Sequence, residues 1–119
     1  MDGAKVPLTV AETPVFSREA NRILGEQSHH QLIEFLGLNP ESGAIVQGTG
    51  GVRKLRWAIP GKGKRGGARV IYYFHSETLP VLALDIYAKN EKMDISPAEK
   101  KRLKSEVEEF VKNMTGDER

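Results

Sequence analysis

Between Arg53 and Ile59 the chain alternates, with Leu55, Trp57 and Ile59 on one side and Lys54, Arg56 and Ala58 on the other. Alternation at period two predicts a strand with one buried face. Ala68–His75 reads as a second strand, rich in β-branched and aromatic residues. A third runs from Pro80 or Val81 to Lys89, with Leu82, Leu84 and Ile86 inward and Asp85, Tyr87 and Lys89 outward. The polar, glycine-rich Pro60–Gly67 connects the first two, so the three strands predict an antiparallel meander. Val6–Val10 is a further short β-prone run ahead of them.

Elsewhere the period is helical. Thr13-Pro14 offers a cap and a first-turn proline for Val15, Phe16, Ala20, Ile23 and Leu24, with Gly25 as the stop. Ser28–Gln31 fits a capping box for a second helix carrying Leu32, Ile33, Phe35 and Leu36, ended by Gly37 and Asn39-Pro40. Two short helices so joined predict a hairpin. Ser96-Pro97-Ala98-Glu99 opens a last helix, whose stripe of Leu103, Val107, Phe110, Val111 and Met114 runs to about Asn113, before a frayed tail over 115–119. The expected fold is α+β: a small antiparallel sheet (N-terminal strand plus three-strand meander) with an N-terminal helical hairpin and a C-terminal helix, packed on one sheet face. The 119 residues suit one domain.

Composition narrows the chemistry. There is no cysteine, which removes disulfides, thiolate zinc sites and a thiol nucleophile. Apolar runs stay far short of a membrane span, and residues 1–5 do not open a signal peptide, so a soluble cytoplasmic protein is expected. The net charge of +2 hides an asymmetry: residues 42–76 hold seven Lys/Arg and no acid, leaving eleven basic against sixteen acidic residues elsewhere. Such segregation fits an anionic partner, nucleic acid first, and also fits a solvated lysine-rich loop.

Strand parity separates the two. With Val70, Tyr72 and Phe74 inward, the opposite face gathers Lys54, Arg56, Arg69 and Lys89 with the phenols of Tyr73 and Tyr87. Cations interleaved with aromatic rings suit RNA, pairing with phosphates and stacking on unpaired bases. Arg53 and the loop cations Lys62, Lys64 and Arg65 add further candidate RNA contacts. The loop is no phosphate-binding loop of a nucleotide hydrolase, because no Gly-Lys-Ser/Thr precedes a helix. His29 and His30 read as surface residues without metal-ligand spacing, and His75 as a strand-end histidine or a proton carrier. No metal or cofactor is expected.

Three segments together, Val46–Arg56, Lys62–Phe74 and Ile86–Glu91, resemble the HigB-type branch of the RelE toxin superfamily. The resemblance covers most of the chain from Leu38 onward. It implies a ribosome-dependent endoribonuclease that cuts mRNA in translation. It also implies a free monomer, silenced by a cognate, DNA-binding antitoxin from the same operon. Position by position, Lys54 and Arg56 match the family's first basic pair, Arg69 the arginine ahead of Val70-Ile71-Tyr72, and Lys89 half of a late basic pair whose other position, arginine in many members, is Asn90 here. Ser96 stands where some members carry tyrosine, for which Tyr87 or Tyr73 would substitute. ParE-type gyrase poisons share the fold, and a non-catalytic nucleic-acid-binding module is a third alternative; Lys54, Arg56 and Arg69 favour the nuclease.

The implied reaction needs no metal: a ribose 2′-hydroxyl attacks the adjacent phosphorus. Arg56 and Arg69 suit charge stabilisation, and Lys54, if ringed by cations, suits the base. The antitoxin would either cover this face with an acidic segment or dock remotely, on the N-terminal helices or the edge at Val6–Val10, the second being preferred.

Overall fold

The alternating segments pair as the central strands of a sheet in the computed structural model, which describes residues 6–62 and 66–116. Its elements are β1 (Val10–Glu12), α1 (Pro14–Leu38), β2 (Ala44–Ile45), β3 (Val52–Trp57), β4 (Ala68–Tyr73), β5 (Val81–Ala88) and α2 (Pro97–Thr115). The sheet order is β1-β5-β4-β3-β2. The expected meander β3-β4-β5 is antiparallel, and β2 adds to its outer side in the same sense.

The α+β class stands, but the sheet is mixed, because β1 runs parallel to β5 with Val10 opposite Val81. Thr13 fixes that direction. Its side chain accepts from Phe16 N–H as the cap of α1 and donates to Leu84 O at 2.9 Å, while its own N–H reaches Ala83 O. The paired strand therefore begins later than the apolar run Val6–Val10.

Gly25 breaks α1 at φ 82°, ψ 165°, a conformation closed to side chains with a Cβ. The second helical half folds back on the first: His29 Nδ1 lies 2.7 Å from Asn21 Oδ1, and its ring meets Phe16 edge-on at 5.8 Å. This is the expected hairpin. His29 is no surface residue, since its Nε2 also binds Glu12 at 2.7 Å and it is largely covered. At the other end, Ser96 and Glu99 close the capping box of α2, and Gly116 ends it in the left-handed region.

The helices pack on opposite faces, not on one. Phe16, Ala20, Leu24, Leu32 and Leu36 of α1 share a core with Val70, Tyr72, Val81, Ala83 and Ile86. Leu103 and Val107 of α2 cover Val52, Ile71, Tyr73, Leu82 and Leu84. The reason lies in β5, which is buried along both faces and so needs a cover on each.

A bulge sits in β5. Ile71 pairs with Asp85 and Tyr72 with Ala83, so Leu84 is the extra residue. Side-chain parity reverses there. Leu82 and Leu84 face α2, while Ile86 and Ala88 face α1, which corrects the expectation that Leu82, Leu84 and Ile86 share one side. Among the described residues no helix is long and apolar enough to cross a membrane.

Candidate active site

The strand register lines up three side chains in a row across the sheet. Arg56 on β3 lies opposite Arg69 on β4, and Arg69 lies opposite Tyr87 on β5. Neighbouring strands are roughly 4.8 Å apart, so a phosphate over β3 and β4 can meet both arginines, with the Tyr87 hydroxyl buried beside them. Lys54 stands two residues from Arg56 and shares its face. Lys89 follows Tyr87 by two, half-buried at the strand's end. The row lies on the α2 side of the sheet, beyond the strip covered by Leu103 and Val107, and Arg56 remains exposed.

Tyr87 is the deepest member at 6% exposed. Its buried hydroxyl has no hydrogen-bond partner among the described residues. Burial, and then the nearby Asp94 carboxylate, push the phenol above its ordinary value, with Arg69 opposing. It therefore stays protonated through the physiological range and can only give a proton.

The β5–α2 connection folds over the row with groups that the sequence reading did not single out. Lys92 Nζ sits 5.1 Å from the centre of the Tyr87 ring and pairs with Glu99. Asp94 accepts from Lys54 Nζ at 3.1 Å and from Ile95 N–H, the larger cause of its carboxyl lying below the usual range. Lys54 is thus not ringed by cations alone. Its geometry fits a phosphate contact held in place by Asp94 better than a base. Asp85, beside the bulge, is raised by burial although Ile86 N–H and Lys92 oppose.

Other candidates are placed elsewhere. Arg53 points to the α1 side, where its Nη1 donates to Glu41 O at 3.1 Å and Gly43 O at 2.8 Å, bracing the approach to β2. Tyr73 is four residues from Arg69, about 13 Å along the strand. It is buried, which raises its phenol, and it bonds His75 Nδ1 at 2.9 Å. Both line a cavity of about 350 Å³ under the far end of α2, with Val107, Glu108 and Lys112. Lys62 borders a recess with Arg22, Ile59, Asn90 and Glu91. Lys64 and Arg65 lie outside the described residues. No group of three or more His, Cys, Asp and Glu side chains among the described residues is placed to hold a metal ion.

The fold and the site define a small α+β protein with a cationic, phenol-bearing sheet face. A family model described as RelE toxin of the RelE/RelB toxin-antitoxin system matches residues 16–117, and the chain belongs to that family. Membership implies an antitoxin partner. Among solved structures the fold is similar to the free state of an E. coli RelE toxin mutant with two arginines replaced by alanine. The TM-score is 0.52 at 15% identity, covering 92% of this chain and 99% of that one.

An expected result separates the role of Tyr87 from its structure. Tyr87→Phe removes a buried hydroxyl that lacks a partner, so stability should hold or rise by about 1 kcal/mol. Cleavage should fall by about 10²-fold or more if the phenol is the proton donor. Urea titration and a translation-coupled cleavage assay read the two effects; full activity in the variant removes the assignment. The pH sign is set by the raised phenol. The stability it contributes is complete below the unfolded-state value near about 10 and is lost as pH climbs through the higher folded value.

Proposed function

We propose that this chain is a HigB-type, ribosome-dependent endoribonuclease that cuts mRNA during translation. The observation that carries the reading is the row Arg56, Arg69 and Tyr87, in register on neighbouring strands. In the reaction proposed, the ribose 2′-hydroxyl gives up its proton to water as its oxygen bonds to phosphorus, and the bond to the 5′-oxygen breaks. Arg56 and Arg69 fork onto the phosphate as its charge grows. Tyr87, whose hydroxyl is buried in the free chain, is uncovered as the strand binds, gives its proton to the departing 5′-oxygen and regains one from water. Lys54, steadied by Asp94, and Lys89 hold flanking phosphates. Weak action on free RNA follows if the ribosome presents the strand in line.

The reading is tested by inducing the chain in bacteria and mapping mRNA ends on stalled ribosomes. Internal cuts with a 5′-hydroxyl and a 2′,3′-cyclic or 3′-phosphate are expected. In a purified translation system they should persist in EDTA, with ribosome integrity followed by sedimentation. Ends bearing 5′-phosphate indicate attack by water and contradict the mechanism. Intact mRNA with stabilised DNA breaks would make the chain a gyrase poison instead. An antitoxin docked away from the row is also part of this reading, and β1, an edge strand, offers it backbone groups for strand addition.

A further inference from the structure

Between its end turns, α2 segregates its charges along its length. Lys100, Lys101, Arg102 and Lys104 crowd its first half, and Glu106, Glu108 and Glu109 lie in its second. The end turns themselves follow the helix dipole, with Glu99 in the first and Lys112 in the last.

The cations are not equally committed. On the flank toward the bulge, Arg102 bonds Glu106 at 2.5 Å and Glu99 takes Lys92. On the flank facing the β2–β3 turn, Lys100 and Lys104 have no ion-pair partner within 4.0 Å among the described residues. Their stems pass the turn itself. A Cβ added at Gly48 would meet Lys100 Cδ at 4.0 Å, and one at Gly50 would meet Lys104 Cγ at 3.6 Å. The turn carries three glycines at positive φ and no acid, and its Thr49 is buried. Lys100 also helps hold the Asp94 carboxyl down, as Lys54 does, so both lysines act on the same acid. Lys104 follows one helical turn later, about 6 Å along the axis.

Arg69, Arg56, Lys54, Lys100 and Lys104 thus form one basic stripe, interrupted by Asp94 and ended by Glu108. Its outer half is walled by lysine stems and glycine backbone. Within residues 46–51 and 100–104 no large apolar side chain is exposed, while Ile45 before the turn and Met93 beside Asp94 are. The lysine-walled half alone therefore lacks the anchors that tight protein docking uses. We infer that this groove carries the single-stranded RNA flanking the scissile bond, with Lys100 and Lys104 each taking a backbone phosphate. The inference rests on the nuclease reading of the row.

The test uses the whole chain, fluorescence anisotropy, and 2′-O-methylated single-stranded RNA, which has no free 2′-hydroxyl to attack. Two lengths are compared, about 4 and about 16 nucleotides. In Lys100→Ala/Lys104→Ala the salt slope of binding the long RNA should shrink by about 1.4, at about 0.7 per phosphate released. Binding of the short RNA should not change, and Lys100→Arg/Lys104→Arg should keep the full slope. Circular dichroism verifies that each variant is folded. An unchanged slope on the long RNA overturns the inference and leaves the stripe to an acidic protein segment. An equal loss on both lengths overturns it too, since that is a general charge effect. Lys54→Ala/Arg69→Ala keeps the two readings apart. If it weakens both lengths while the α2 variant changes neither, the row stands and the groove falls. If it changes neither length, the row itself fails.

Discussion

Arg69→Ala is expected to lower translation-coupled cleavage by about 10²–10³-fold, the usual cost of losing one donor aimed at developing charge. The fold should survive. Arg69 makes no ion pair among the described residues, and its hydrogen bond there is a long 3.3 Å contact to the neighbouring Ala68 carbonyl. Its central position explains the size of the effect. It lies between Arg56 and Tyr87, so removing it opens the middle of the row rather than an end. Circular dichroism and the cleavage assay on the purified variant decide the matter. Near-normal cutting by a folded protein would remove Arg69 from the site.

Phe16→Ala should produce the other large effect, and by an unrelated route. Phe16 is fully buried in the first turn of α1, against the ring of His29 and the α1-side core. Truncating such a ring costs about 3–5 kcal/mol, a large share of the roughly 5–15 kcal/mol that holds a domain together. The urea midpoint should fall steeply. Cleavage per folded molecule, measured cold, should stay near wild type, because the row is on the opposite face. A variant that keeps its midpoint would show that α1 is not seated as described.

Much of this arrangement is legible in the residues. Ser96 and Glu99 mark the start of α2, since capping needs particular side chains at fixed offsets, whereas its end, expected near Asn113, comes at Thr115 before Gly116. Lys54, Arg56 and Arg69 could be placed on one face because β3 and β4 pair without interruption. The bulge was not legible. It adds one residue to a segment that is apolar on both sides, so nothing in its composition changes where parity does. Tyr87 was still assigned to the right face, since parity from Ile86 onward matches the expectation and only the stretch before the bulge is reversed. The position of α2 had a visible signal in Ile71, a buried aliphatic residue on the face read as open. Asp94, Lys92 and the role of Arg53 had none. Each depends on where an irregular connection folds, and side-chain period says nothing about that.

The two-sided burial of β5 also sets the order in which the molecule can be finished. Thr13 reaches its partner Leu84 across 71 residues of sequence, and α1 rests on strands that are synthesised long after it. The β3-β4-β5 meander closes by short connections, whereas contacts this distant pay their loop entropy before they return anything. A growing chain therefore carries its N-terminal hairpin without a surface to settle on until β5 has emerged. The same is true of the cationic row, which lacks Tyr87 until that strand arrives. On the proposed reading no assembled site exists near the ribosome making this chain until β5 has been made.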